Sequence, residues 1–321
     1  MKTSYRIIYQ KISDKKARLL RIYGTSAKIC IPETVGGYPI VEVAPYCFCE
    51  TRKLKYEESL EEIIGEERFL QELCGNSIEE IYLPDSIEKI GNYAFYNCKK
   101  LKKIELGAKT KEIGSDAFMN TISLHQLTFR CSPNEKSGIK QILARFSSDI
   151  EVTFEGESGI EAVLLYPEYY ESYDEIAPAH LFGRNIEGEG FRARQCIQDG
   201  RIDFVGYDRI FEQACVEESE NTLAKMALNR LQYPYALKEN ARQMYSAYLK
   251  EHILALMKPL VEKRQLETLQ FLCRENILEG ARLTEAIELT ACVEWAEGTA
   301  ELLQFKAKQN QVSNRYDFDE F

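Results

Sequence analysis

Histidine is the side chain most ready to exchange protons near neutral pH, and this chain of 321 residues has three: His125, His180 and His252. His125 falls two residues before Leu127 in an apolar/polar alternation and reads as a surface residue. His180 follows Pro178 in a junction between two differently patterned halves, and His252 stands beside Glu251 in a long helical pattern. No local signature pairs any of them with a cysteine nucleophile. The ten cysteines, at 30, 47, 49, 74, 98, 131, 196, 215, 273 and 292, contain no CxxC. The lone Cys47-Phe48-Cys49 is weak evidence for a soft metal, so reduced, buried thiols acting as small hydrophobes are expected. Glu57, Glu58, Glu61, Glu62, Glu66 and Glu67 are spaced like the solvated face of a short helix, and they lack the interleaved Asp, Asn and Gly of a calcium loop. Lys99, Lys100, Lys102, Lys103, Lys109 and Lys111 are interrupted by Glu105 and Glu112, which argues against a nucleic-acid face. The stretch GRNIEGEG from Gly183 to Gly190 matches no phosphate loop and reads as an inter-helix loop. No catalytic residue, metal site or cofactor is therefore predicted.

The elements that would position any site are clearer. From Leu83 to Leu106, and again from Leu106 to Phe129, the large apolar residues recur at an offset of 23: Ile90 and Ile113, Phe95 and Phe118, Leu101 and Leu124, Ile104 and Leu127. A fixed period of about 20–29 residues signals a solenoid whose units bury their apolar faces only against each other. Residues 29–54 fit the same template with Val43, Phe48 and Leu54. A worn copy follows, with Ile64-Gly65, Phe69, Ile78, Ile81 and Leu83 in phase, and residues 129–154 close the array with the alternating Ile150, Val152 and Phe154. Within a unit, KKIEL alternates as a half-buried strand does, so Ile104 and Leu106 point inward while Lys103 and Glu105 point outward. Gly91 and Gly114 suit a turn that needs an open backbone conformation, and the phenylalanines are bulky fillers stacked along the axis.

The segments IPETVGGYPIVEVAPYCF and LPDSIEKIGNYAFYNCKKLKKIEL resemble the BspA-like subclass of bacterial leucine-rich repeats, with LLRIYGTSAKICIP resembling the strand and turn that open such arrays. The resemblance covers residues ~19–154, about half of the chain. Cys98 stands where the family often has a core cysteine, replaced here by Thr51 and Thr121 in other copies. The resemblance implies a right-handed solenoid used for protein or ligand binding, and no catalytic residues.

After residue 160 glycine and proline thin out and helical spacing takes over. Helices are expected at 191–199, 204–215, 222–231, 236–257, 260–273, 284–293 and 299–308, joined as hairpins. LETLQF at Leu266 returns as AELLQF at Ala300, an offset of 34 that resembles ankyrin-type helix pairs without the TPLH signature. The expected architecture is thus α+β with two domains: a leucine-rich solenoid over 1–155 and an α-helical, ankyrin-like domain over 156–321. Tyr166, Tyr169, Tyr170 and Tyr173 cluster near the junction, where tyrosines suit an interface.

Outward positions line up at the 23-residue offset into two columns, Glu80, Lys103 and Gln126 beside Tyr82, Glu105 and Thr128, and these are the candidate partner-binding residues. The function expected is non-enzymatic binding of another protein. The alternatives are an enzyme with a site in the helical half, near His180 or His252, and a secreted adhesin. The net charge of -10 falls almost wholly after residue 155, which disfavours nucleic acid as a partner. With 45% hydrophobic residues, no run long enough to span a bilayer and no signal-peptide pattern at the start, a cytoplasmic, membrane-free protein is expected.

Overall fold

A computed structural model describes residues 4–51, 55–66, 69–176 and 181–316. Contacts cluster into two compact units, Met1–Ile210 and Phe211–Phe321.

The first unit opens on a hairpin, β1 (Tyr5–Ser13) and β2 (Lys16–Gly24), followed by β3 (Lys28–Cys30), β4 (Thr34–Val35) and β5 (Tyr38–Val43). Next come β6 (Leu60–Ile64), β7 (Gln71–Glu72), β8 (Glu80–Tyr82), β9 (Lys89–Ile90), β10 (Lys103–Gly107), β11 (Glu112–Ile113) and β12 (Gln126–Arg130). Helix α1 (Ile139–Leu143) leads to β13 (Ile150–Gly156) and β14 (Gly159–Tyr166). The unit ends with the hairpin β15 (Tyr170–Ile176) and β16 (Leu181–Glu187), α2 (Gly190–Gln195), β17 (Ile197–Gln198), β18 (Arg201–Ile202) and the start of α3 (Phe204–Glu217).

Two ladders run along the solenoid. In one, β3, β8, β10, β12 and β13 pair in parallel, and β14 closes the end antiparallel to β13. In the other, β2, β5, β9 and β11 pair in parallel, with β1 and β6 beyond β2. Inward residues stack coil upon coil: Ile29, Ile81, Ile104, Leu127 and Val152 share one register column and all are buried. Phe48, Phe95 and Phe118 form the expected axial stack, with centroids 4.9 and 5.4 Å apart and rings within 8° of parallel. Where the pattern changes residue type, a hydrogen bond replaces packing. Thr110, at the place of Ile87, donates to the Ile87 carbonyl at 2.9 Å, and Thr121, at the place of Cys98, donates to Phe118 O at 2.7 Å.

The glycines serve a different purpose from the one expected. Neither Gly91 nor Gly114 has a left-handed φ. A Cβ on Gly91 would lie 2.4 Å from Pro45 N, and one on Gly114 would lie 2.4 Å from Asn92 N, so both are required by the close approach of one coil's backbone to the next. Left-handed backbone falls instead on Tyr46, Tyr93 and Asp116, and again on Asn97 and Asn120 four residues after the last two.

Three expectations are corrected. Ile78, Ile81 and Leu83 of the worn copy are buried in the stack as expected, but residues 55–72 do not form a coil, because β6 pairs antiparallel with β1 and β7 with β2 to extend the N-terminal sheet. β3 and β5 therefore pair directly with β8 and β9, and Phe69 is 89% exposed rather than in the core. The glutamates Glu61 and Glu62 consequently lie on a strand, not a short helix; Leu54 and Glu67 lie outside the described residues. The compact unit also runs to Ile210 rather than ending near 155. Val163, Leu164, Leu165 and Tyr166 in β14 are all buried, and a strand covered on both faces shows no alternation to read. GRNIEGEG is mostly β16 and not an inter-helix loop, and α2 stops at Gln195, short of the expected 199.

The second unit continues α3 and adds α4 (Glu220–Gln232), α5 (Glu239–His252), α6 (Leu254–Glu262), α7 (Leu266–Arg274), α8 (Gly280–Cys292) and α9 (Ala296–Tyr316). The single helix expected over 236–257 is divided at Ile253, and Ala236 and Leu237 precede α5. Arg264, Asn276 and Glu294, all left-handed, end α6, α7 and α8, each followed by an N–H that reaches back to a carbonyl five residues before it. α8 packs on α9, α7 on α9 and α6 on α8. The 34-residue echo is out of register with these turns, since Leu266 opens α7 whereas Ala300 is already one turn into α9. Among the described residues no helix is long and apolar enough to cross a membrane.

Candidate partner-binding surface

The outward columns fall into the register their spacing required. Lys28, Glu80, Lys103, Gln126 and Glu151 stand abreast on successive strands, as do Cys30, Tyr82, Glu105, Thr128 and Thr153. Side chains abreast in a sheet are about 5 Å apart, close enough for opposite charges to pair. Lys28 meets Glu80 at 2.6 Å, and Tyr82 donates to Glu80 at 2.8 Å. Lys103 lies 3.3 Å from Glu105 and 5.4 Å from the centre of the Tyr82 ring. The Lys28 ammonium holds the Glu80 carboxyl below the usual range. The bond to Glu80 pushes the Tyr82 phenol up to about 12.

Arg130 was not anticipated from the repeat. It donates to Glu105 at 3.0 Å, to Asp85 at 2.7 Å and to the Leu83 carbonyl, tying its own coil to the two before it. Its one sequence signal is its outward phase in QLTFR, two residues after Thr128, which does not say that an arginine reaches back 45 residues. Thr128 is corrected: it stands in the outward column but is only 6% exposed, with Glu105 and Thr153 abreast of it on the strands either side. The open part of the face is therefore Glu80, Tyr82, Lys103, Glu105 and Gln126.

Arg130→Ala should lower stability by about 1–2 kcal/mol, since charged hydrogen bonds on a half-buried guanidinium are lost; urea unfolding measures it, and an unchanged midpoint would show the strap to be idle. Tyr82→Phe tests the phenol. A raised folded value means that the neutral phenol's bond stabilises the protein below the ordinary tyrosine pKa of about 10 and is lost as the pH rises through about 12. The phenolate absorbance missing from the variant should therefore appear near pH 12 in the wild type.

The candidate chemical residues lie apart. His125 is exposed and hydrogen-bonds Ser123 O at 2.7 Å. In the second unit His252 stacks on Tyr248 at 4.2 Å and meets Glu220 at 2.9 Å. His180 lies outside the described residues. All ten cysteines are free; six are buried, but Cys30, Cys215 and Cys292 are exposed, contrary to the expectation of uniform burial. Burial pushes the Cys47, Cys131 and Cys273 thiols up to about 12. Among the described residues no group of three or more His, Cys, Asp or Glu is placed to hold a metal ion.

The description of a BspA type leucine rich repeat region fits residues 28–137 in six copies. This stretch is a BspA-type leucine-rich repeat region. Among solved structures, the repeat region's chain is similar to a leucine rich repeat protein of T. pallidum, with 24% identity over 38% of this chain and 49% of that one, at a TM-score of 0.28. It is also similar to a leucine rich cell surface protein from Faecalibacterium prausnitzii A2-165, with 19% identity over 47% of this chain and 31% of that one, at a TM-score of 0.26. The match therefore spans about half of the first protein and about a third of the second. No curated protein matches the chain.

Proposed function

We propose that this protein is a non-enzymatic interaction module that holds another protein on the outward face of the repeat region. The observation that carries this reading is the in-register row of Glu80, Tyr82, Lys103, Glu105 and Gln126, its charges fixed by mutual ion pairs on a rigid ladder. Side chains already held in place lose little entropy when a partner docks. The non-enzymatic reading is supported by the thiols, since Cys273 beside the 260 Å³ cleft of the helical unit has a pKa pushed up to about 12, far from a nucleophile's. Ten free cysteines favour the cytoplasm, where thiols stay reduced. One similar protein is a cell surface protein, so cell fractionation is the deciding measurement against the adhesin reading.

The test is affinity capture from the native cell with the full chain and with a Tyr82→Ala/Lys103→Glu variant. A protein retained by the wild type should be lost by the variant, and equal retention would move the binding surface off this face.

A further inference from the structure

The β15–β16 hairpin is an unfinished sheet. It has two strands, and among the described residues no other strand joins either edge. A lone two-stranded ribbon is only marginally stable in water, and its open edges are templates for a further strand. It is anchored at its base, where the Tyr169 N–H donates to Ser147 O at 2.9 Å, Tyr169 packs on Phe191 at 5.6 Å and Arg184 lies 5.0 Å from the same ring. Further along β15, Tyr170 and Tyr173 are each 62% exposed.

The period of two puts these tyrosines on opposite faces, and each face also carries a carboxylate. Glu171 shares the side of Tyr173, and Asp174 shares the side of Tyr170. Over 170–187 the chain has Glu171, Asp174, Glu175 and Glu187 against Arg184 as the one formal cation, and Arg184 is already paired with Glu171 at 2.6 Å. This charge decides among occupants. Arg184 stands opposite Tyr173 on the same face and neutralises Glu171 there, so the unbalanced carboxylates, Asp174 and Glu187, lie on the face of Tyr170; a second copy of the hairpin would bring them together, whereas an extended cationic segment meets both beside an aromatic ring.

We infer that an open edge of this hairpin takes a basic, extended peptide segment of a partner protein as an added strand, with lysine or arginine side chains on the acidic face of Tyr170, Asp174 and Glu187. The site is separate from the ladder face and does not depend on it.

The test uses the full chain and a fluorescein-labelled octapeptide of alternating lysine and valine, with a glutamate–valine octapeptide as control. The lysine peptide should bind saturably, more weakly as salt rises, and should slow amide exchange within 170–176 or 183–187. Tyr170→Ser should weaken it about tenfold or more, and Asp174→Lys/Glu187→Lys should transfer binding to the glutamate peptide. Should Tyr170→Ser fail to fold by circular dichroism, the charge-reversed variant decides alone. Failure of the lysine peptide to bind, binding without exchange protection in the hairpin, or equal affinity for wild type and the charge-reversed variant would each overturn the inference. So would loss of peptide binding in Tyr82→Ala/Lys103→Glu, which would place the peptide on the ladder face.

Discussion

Phe95→Ala is expected to destabilise the first unit by about 3–5 kcal/mol, the range for removing a fully buried phenylalanine when the cavity cannot collapse. Collapse is prevented here by the stack itself. Phe95 is held between Phe48 and Phe118, 4.9 and 5.4 Å away and nearly parallel, and each ring is fixed in turn by its own coil. The end of the stack supplies a comparison. Phe118 meets Phe146 at 44°, and Phe146 follows α1 rather than a repeat strand, so Phe146→Ala should cost less. Urea unfolding followed by circular dichroism measures both, and a smaller loss at Phe95 than at Phe146 would show that the stack does not carry the core.

Gly91→Ala should cost about 3 kcal/mol, the upper end of the range for overpacking, a large effect for one methyl group. The added carbon would lie 2.4 Å from Pro45 N and 2.7 Å from both Ala44 C and Pro45 Cδ, and the backbone atoms among these cannot move without opening the stack. Gly37→Ala is the informative control. Gly37 has φ of +81° but nothing within 4 Å of an added Cβ, so it bears conformational strain alone, about 1 kcal/mol. If Gly37→Ala proved the more damaging, the close contact between coils would not be what keeps position 91 a glycine. Ala44, at the same place in the preceding coil, abuts β2 through its N–H bond to Leu19 O and has room for its methyl group.

The contrast between these two glycines shows where reading the chain alone stops. Gly91 and Gly114 stand out in the sequence, but a glycine looks the same whether it relieves strain or makes room. The apolar residues were legible for a simpler reason: each coil must present one residue to each inner column, so the requirement is written at a fixed spacing. The same spacing placed Glu80, Lys103 and Gln126 abreast, and the ladder put them there. It could not show that Thr128 would be buried or that Arg130 would reach back across two coils, since neither outcome follows the period. The excursion over 55–72 and the strands over 159–187 escaped for related reasons. β6 and β7 take their partners from β1 and β2, far back in the chain, and β14 is covered on both faces so that its alternation vanishes.

Sequence by itself thus determined the repeat, its register, the phenylalanine stack and the outward columns, since all of these follow from equal coils stacked at a constant rise. Tertiary structure alone decided which coil is missing, how the ends are closed, which outward side chains stay open and which edges are left unpaired. Those outcomes depend on contacts between segments with no shared period, and such contacts leave no regular mark along the chain.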